Sequence, residues 1–145
     1  MIKIICVGKL KEKYLNDLVL DYKNRISKYH KIEIVNIKDS DINSEEELIL
    51  KNINEGEYVI TMDIHGKKYD SIGFKDKIVS LFNNSISNIT FIIGGSDGTG
   101  DKVKKRSQEL ISFSDMTFPH GLFRGLLLEQ IYRSFKIINN ESYHK

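Results

Sequence analysis

The sequence is poor in cysteine, proline and tryptophan, and none of its apolar runs is long. Its 145 residues include one cysteine, one proline and no tryptophan. The lone Cys6 cannot form an internal disulfide, which excludes a small disulfide-stapled fold and suits a buried, inert thiol in a reducing compartment. No apolar stretch approaches the length of a membrane span, and no cationic leader precedes one. We therefore expect a cytoplasmic protein with no membrane association.

Charge of either sign is not in excess. The 22 Lys and Arg residues against 20 Asp and Glu residues leave a net charge of +2, which is too small by itself to indicate a nucleic-acid partner. One cysteine and four scattered histidines show no ligand spacing, so we expect no metal site. A chain of this length is predicted to form one domain, residues 1–145, with a sizeable core.

What the sequence does contain is an alternation of strand and helix patterns. The predicted strands are Ile2–Val7, Ile32–Ile37, Tyr58–Ile64, Ile89–Ile93 and Ile111–Thr117. The predicted helices are Leu15–Tyr29, Ser44–Asn54, Ser71–Phe82, Asp101–Leu110 and Leu122–Asn139, with Ser44, Ser71 and Asp101 as caps. The sequence His65-Gly66-Lys67 is predicted to turn the chain. This alternation predicts an α/β fold, a mostly parallel sheet with helices on both faces.

The most informative stretch is Phe91–Gly100, in which a buried strand runs into a loop with four glycines. Glycine is used where φ must be positive or where something approaches the backbone closely. Gly95 and Gly100 have the spacing of a phosphate-binding P-loop, but Asp101 stands where that motif needs its lysine. Val103 replaces the third glycine of a dinucleotide fingerprint. The loop therefore indicates a ligand that need not carry phosphates, with an awkward tight turn as the alternative.

Three further features suggest function, and each has a structural alternative. His120 and Arg124 stand at the start of the last helix, where anions are favoured and a cation opposes the helix dipole. His120 is explained equally well as a helix-entry residue. The basic run Lys102–Arg106 could face an RNA backbone or only solvent. The ending Tyr143-His144-Lys145 offers stacking, a titratable group and a cation, or it is a frayed end.

The last predicted helix is apolar on two adjoining stripes. Leu127, Ile131 and Ile138 form one stripe, and Leu128, Tyr132 and Phe135 form the other. One stripe can pack on the sheet, while the other is either buried within the same chain or covered by a partner. For a chain this short, we expect a homodimer.

Five motifs, taken together and in order, resemble the RlmH family (also called YbeA) of the SPOUT superfamily. They are GKLKEKY, TMDIHGK, IIGGSDG, FSDMTFPH with Arg124 after it, and the ending YHK. The resemblance covers essentially the whole chain. It implies a homodimeric SPOUT-type fold whose C-terminal part is tied in a deep trefoil knot, although knots are rare among folds. It also implies S-adenosylmethionine-dependent methylation at N3 of a pseudouridine in 23S rRNA, on the assembled ribosome.

The same resemblance implies a set of site residues. The cofactor contacts fall on Met62, Gly94, Phe113, Ser114, Asp115, Met116, Thr117 and Phe118. The catalytic candidates are His120 and Arg124, together with Tyr143 and His144, which are expected to reach the pocket of the partner subunit. Gly121 follows His120 where the family commonly has a bulkier residue, which leaves the placing of His120 open. The alternative function is a non-catalytic RNA-binding module of the same fold.

Overall fold

The computed structural model describes residues 1–144, in which five strands alternate with five helices. The strands are β1 (Ile2–Val7), β2 (Ile32–Ile37), β3 (Tyr58–Lys68), β4 (Ile89–Ile93) and β5 (Glu109–Ser112). The helices are α1 (Lys13–Ser27), α2 (Ile42–Lys51), α3 (Ser71–Asn83), α4 (Asp101–Arg106) and α5 (His120–Ile138). The predicted α/β class is confirmed.

The strands form one sheet in the order β2-β1-β4-β3-β5, and every neighbouring pair is parallel. Alternate residues of β1 point to opposite faces, so Ile4 and Cys6 enter one core while Ile5 and Val7 enter the other. Helices α1, α3 and α5 cover the first face, and α2 and α4 cover the second. Helices on both faces were predicted, and this is confirmed.

Two predicted helix caps are wrong because an aspartate lies upstream of each serine. Helix α2 begins after Asp41, whose carboxylate accepts the Ser44 N–H at 2.9 Å. Helix α3 begins after Asp70, which accepts the Gly73 N–H at 2.7 Å. Aspartate caps at least as well as serine, and the earlier residue sets the first turn. Helix α2 therefore begins two residues before Ser44, and in α3 Ser71 is the first helical residue and not the cap.

The predicted cap and end of α4 are also wrong. Gly100 is the N-cap residue, and Asp101 already lies inside the helix. The helix ends at Arg106 rather than near Leu110, because β3 pairs with residues 109–112 and draws them into the sheet.

Strand β3 continues through the sequence that was predicted to turn. Lys67 and Lys68 pair with Ile111 and Ser112 of β5, after a bulge that follows Met62. An ideal Cβ on Gly66 would lie 2.6 Å from the Ile111 nitrogen, so β3 can lie across the backbone of β5 only at a glycine. The turn prediction is therefore wrong, since sheet pairing overrides the local glycine pattern.

Strand β5 ends at Ser112, five residues earlier than predicted, because the chain folds back on itself there. The Ser112 hydroxyl donates to the Ser114 carbonyl oxygen at 2.9 Å. The predicted strand bounds are therefore wrong, and residues 113–117 are a loop.

Helix α5 buries both of its apolar stripes against its own chain for most of their length. Its buried residues include Leu127, Leu128, Ile131, Tyr132 and Phe135. Helices α1 and α3 both pack against it, and Ile138 at its end stays partly exposed. A partner is therefore not needed to cover most of the second stripe. The homodimer and the trefoil knot stay predictions.

Candidate active site at the carboxyl edge of the sheet

The strand order reverses between β1 and β4, which opens a crevice at their carboxyl ends. The chain leaves β1 through α1 on one face of the sheet and leaves β4 through α4 on the other. Ligands of open α/β sheets bind at such a point. Gly94 directly follows β4, and Met62 lies on the neighbouring strand β3. Met62 pairs with Ile111 of β5, and Phe113 follows Ile111 by two residues. The fold thus brings the predicted residues Met62, Gly94 and Phe113 to one edge.

The loop after β4, residues 94–100, folds back on itself. The Gly98 N–H donates to the Gly95 carbonyl oxygen at 3.0 Å, and Gly98 has a φ of +76°. An ideal Cβ on Gly94 would lie 2.6 Å from the Gly98 carbonyl oxygen and 2.9 Å from Cγ2 of Thr99. The close approach at Gly94 is therefore between two parts of the loop. The Thr99 hydroxyl is buried beside it and has no hydrogen-bond partner within residues 1–144.

The predicted cofactor segment, residues 113–118, is anchored at both ends and exposed in the middle. Phe113 and Phe118 pack against the same ring, Phe123, with centroid distances of 5.3 and 6.2 Å. The Met116 N–H donates to the Ser114 hydroxyl at 3.0 Å, while the Met116 side chain is 73% exposed. Asp115 pairs with Lys68 of β3 at 2.5 Å, and Thr117 is exposed.

This segment runs across the edge of the sheet. Phe113 lies at the end of β5, while the Nε2 atom of His120 would lie 3.3 Å from an ideal Cβ on Gly8, the residue after β1. Neighbouring strands are about 4.8 Å apart, so three strand spacings separate β5 from β1 by about 14 Å. Residues 113–119 therefore connect the β5 side of this edge to the β1 side, and His120 stands at the far end of the same edge as Met62.

Arg124 is 2% exposed and joins three elements at this edge. Its guanidinium donates to Oδ1 of Asn36 at 2.8 Å and to the Gly8 carbonyl oxygen at 3.2 Å. Its Nε atom is buried without a hydrogen-bond partner in the described part of the chain. The cation thus holds the ends of β1 and β2 against α5, a positioning task that the sequence did not reveal.

His120 is the first residue of α5 and is exposed. The preceding Pro119 supplies no side-chain cap, and the first turn contains no acidic residue. The free N–H groups of this turn favour an anion. His120 therefore stands where a substrate can reach it.

A broad cleft of about 1510 Å³ opens beside His120, between the start of α1, the end of β2 and the start of α5. The basic residues that line it are Lys9, Lys11, Lys23, Lys38 and Arg124. Three acidic residues, Glu12, Asp17 and Asp39, also line it, so its lining carries a net positive charge. Such a surface attracts a phosphate backbone.

The predicted basic patch on α4 is partly used within the chain. Lys104 lies 3.4 Å from the Asp63 carboxylate, and Arg106 donates to the backbone carbonyl oxygens of Asn54 and Glu57. Lys102 and Lys105 are exposed, as is Asp101 at the start of this helix. The patch is therefore smaller than the run of four basic residues indicates.

The tail packs on its own chain instead of fraying. The Tyr143 hydroxyl donates to Glu129 at 3.0 Å, and its ring packs edge-on against Tyr132. His144 Nδ1 lies 3.0 Å from Nη1 of Arg133. Lys145, the third residue of the predicted tail motif, lies outside the described residues.

Within one chain, Tyr143 and His144 are not brought to His120. Glu129 and Arg133, which hold them, follow His120 by nine and thirteen residues of the same helix, or about 13 and 20 Å along its axis. The four catalytic candidates thus form two separate groups in a single subunit, His120 with Arg124 and Tyr143 with His144.

The family model described as a predicted SPOUT methyltransferase matches residues 1–144. The chain belongs to the SPOUT methyltransferase family. The resemblance that the motifs carry is therefore confirmed.

Relatives within this family match over their full lengths. A putative ribosomal RNA large subunit methyltransferase H from Methanococcus vannielii is 49% identical over 157 aligned positions, covering 99% of each chain. A ribosomal RNA large subunit methyltransferase H from Caldicellulosiruptor saccharolyticus is 46% identical and covers 100% of each chain. The protein of the same name from Clostridium tetani is 48% identical and covers 99% of each.

Solved structures share the SPOUT methyltransferase fold with this chain. A probable methylase family protein from Haemophilus influenzae aligns with a TM-score of 0.62, at 12% identity, over 99% of this chain and 70% of that one. The SpoU methyltransferase AviRb from Streptomyces viridochromogenes, solved in complex with AdoMet, aligns with a TM-score of 0.51 at 8% identity, over 92% and 57%. At these identities the likeness concerns the fold alone.

Two further findings concern residues 1–144. No helix there is long and apolar enough to span a membrane. No cluster of His, Cys, Asp or Glu side chains there is arranged to bind a metal ion.

Proposed function

We propose that this SPOUT methyltransferase uses S-adenosylmethionine to methylate N3 of a pseudouridine in the 23S rRNA of the assembled ribosome. One observation carries the proposal: Met62, Gly94 and the segment 113–118 share one sheet edge with His120. The names of the full-length relatives, which are large-subunit rRNA methyltransferases, support the choice of substrate.

The residues at the crevice suit the proposed cofactor. An adenosine with a methionine tail needs apolar contacts and a few main-chain donors and acceptors. Met62 and Phe113 are half-buried apolar side chains at this edge, and Gly94 and residues 114–118 bring their backbone to it. The buried Thr99 hydroxyl beside Gly94 offers an unused hydrogen-bonding group. When bound, the cofactor supplies an activated methyl group on its sulfonium.

The chain itself must position the base and help remove the N3 proton. An imide nitrogen is a poor nucleophile until it loses that proton. His120 is exposed at the start of α5, where it can accept the proton, while the free N–H groups of the helix and the Arg124 cation favour the resulting anion. Burial and hydrogen bonds to Tyr22 and Glu129 raise the pKa of Tyr143, so this phenol stays protonated and acts as a donor rather than a base.

The ribosomal RNA is proposed to lie along the basic cleft beside His120. Lys9, Lys11 and Lys38 line the cleft at the same end of the sheet as His120. We propose that the assembled ribosome supplies the rest of the recognition surface.

We further propose that the active unit is a homodimer with a trefoil knot in each subunit. Met116 and Phe118, which precede α5 in the chain, are exposed apolar side chains, and such side chains suit an interface. If two α5 helices run antiparallel across a two-fold axis, the tail of one subunit comes close to His120 of the other. This arrangement would unite the two groups of catalytic candidates.

Titration calorimetry with S-adenosylmethionine, and with ATP as the control ligand, tests the cofactor assignment. We expect binding of S-adenosylmethionine alone. Binding of ATP alone would overturn the proposal. A folded dimer that binds neither ligand and transfers no methyl group to unmodified ribosomes would support the non-catalytic RNA-binding alternative.

A further inference from the structure

Two buried carboxylates of helix α2, those of Glu45 and Glu46, lie against the glycine loop. Helix α2 covers the face of the sheet opposite the one that α5 covers. Glu46 is 8% exposed, and its Oε2 atom accepts the N–H of Val103 in α4 at 3.1 Å. The N-cap residue of α4, Gly100, has no side chain to supply this bond. Glu46 therefore caps α4 from a different helix.

The loop is shaped around this carboxylate. An ideal Cβ on Gly100 would lie 2.7 Å from Cδ of Glu46 and closer still to one of its oxygens. Gly100 has a φ of −78°, which any residue can adopt. The absence of a side chain at Gly100 therefore leaves room for the Glu46 carboxylate, and the backbone conformation itself does not call for glycine.

The neighbouring Glu45 meets the other end of the loop. Its Oε2 atom accepts the Ser40 N–H at 2.8 Å, and its Oε1 atom would lie 3.3 Å from an ideal Cβ on Gly95. Burial raises the pKa of Glu45, and the charges of Asp39 and Asp97 raise it further. Two glycines that the sequence pattern assigned to a ligand thus face the carboxylates of α2.

Burying a carboxylate is costly, and a single backbone hydrogen bond offsets only part of that cost. Stability alone would be served as well by an apolar side chain and an ordinary cap residue. The loop that leads into this cap, residues 94–100, contains Gly94 at the crevice.

We propose that Glu46 is a positioning residue for the cofactor site. Its carboxylate holds the start of α4, and through α4 it holds the loop in the conformation that presents Gly94 to the crevice. The inference depends on the proposed use of S-adenosylmethionine. It assigns to α2, which lies on the other face of the sheet from His120 and α5, a part in cofactor binding.

The test compares Glu46→Ala and Glu46→Gln with the matched controls Glu47→Ala and Glu47→Gln. Glu47 is exposed on the same helix. Loss of a charge-assisted hydrogen bond predicts that Glu46→Ala weakens S-adenosylmethionine binding by about tenfold or more. Glu46→Gln keeps an acceptor oxygen and should recover most of the affinity. The Glu47 variants should bind as the wild type does.

Two readouts separate positioning from general destabilisation. In hydrogen exchange without ligand, the amides of residues 94–103 should exchange faster in Glu46→Ala, while those of β1 should not. In steady-state assays, the KM for the cofactor should rise while kcat at saturating cofactor is retained. A general loss of stability would change exchange in β1 as well.

Gly100→Ala tests the same contact from the other side. Its backbone conformation suits alanine, so its only direct consequence is to displace the Glu46 carboxylate. We expect the same loss of affinity and the same faster exchange of the loop. This variant keeps the inference testable if Glu46→Ala fails to fold.

The outcomes distinguish this inference from the proposed function. A wild-type protein that does not bind S-adenosylmethionine overturns both. A wild-type protein that binds, with Glu46→Ala and Gly100→Ala binding equally well and showing unchanged loop exchange, overturns the positioning role alone.

Discussion

At the scale of single residues, the interior holds one ion pair far from the proposed chemistry. Lys3 donates to Glu57 at 2.8 Å and to the Asn52 carbonyl oxygen, while the Thr90 hydroxyl donates to the second Glu57 oxygen at 2.7 Å. Both charged side chains are almost fully buried. They lie at the amino ends of the strands, opposite the crevice. Lys3 and Glu57 thus satisfy each other's hydrogen-bonding groups together with Thr90 and the Asn52 carbonyl, and we assign the pair a structural role.

The pH dependence of stability follows from the sign of the pKa shift of Glu57. Burial alone would raise this pKa, but the hydrogen bonds from Lys3 and Thr90 outweigh it and lower the pKa below its usual value of 4.5. A carboxyl group with a lowered pKa in the folded state stabilises the protein above its unfolded pKa. That stability is lost as the pH falls through the folded pKa.

Replacing Glu57 by glutamine therefore tests the pair. Because Lys3 would remain buried without its counter-charge, we expect Glu57→Gln to lower the free energy of unfolding by about 3 kcal/mol at pH 7. The difference from wild type should shrink below pH 4.5. Denaturant unfolding at several pH values measures both effects, with the exposed Glu55→Gln as the control. A loss that is equal at all pH values would contradict this account.

At the scale of secondary structure, buried strands were predictable and sheet-dependent boundaries were not. Strands β1, β2 and β4 match their predicted bounds because β1 and β4 are buried, largely apolar runs and β2 alternates between apolar and polar residues. Strand β3 extends through Lys67 and Lys68, whose polar side chains carry no strand pattern and whose pairing with β5 is tertiary. The caps of α2 and α3 were mispredicted because Asp41 and Asp70, and not Ser44 and Ser71, accept the first-turn N–H groups.

The candidate site was predictable only in part. Residue patterns alone pointed to the glycine loop, His120 and Arg124, and the predicted topology placed the strand ends at Met62 and Phe113 near that loop. The assignment of Met62, Gly94 and the segment 113–118 as cofactor contacts came from the family resemblance. No sequence pattern separates the buried Glu46 from the exposed Glu47 in a run of three glutamates. The packing of α2 against α4 distinguishes them, and packing of this kind is not encoded locally.

The crossing of β3 over β5 gives a prediction for Gly66. Alanine there would place its Cβ 2.6 Å from backbone atoms of β5, which cannot move as a flexible side chain can. We expect Gly66→Ala to cost at least about 2 kcal/mol of unfolding free energy, as overpacking typically does. Gly56→Ala is the control, since Gly56 has a φ of +88° with open space around it and should cost only about 1 kcal/mol. Equal losses in the two variants would contradict the crossing.

At the scale of the whole molecule, the separation of His120 from the tail requires a second subunit if both take part in catalysis. In a mixture of His120→Ala and His144→Ala subunits, a heterodimer would contain one site with both residues intact. A pool that mixes at random should regain about one quarter of wild-type activity. Unfolding, remixing and assaying the two variants together measures this recovery. Activity no higher than that of either variant alone would contradict a shared site.

The proposed methylation at N3 of a pseudouridine in large-subunit ribosomal RNA can be observed on the substrate itself. The protein and labelled S-adenosylmethionine are incubated with ribosomes that lack the modification, and the labelled nucleotide is mapped by mass spectrometry. We predict label at N3 of a single pseudouridine in 23S rRNA, and loss of that label with His120→Ala. Label on a different nucleotide, or none on ribosomes with a protein shown to bind the cofactor, would contradict the claim.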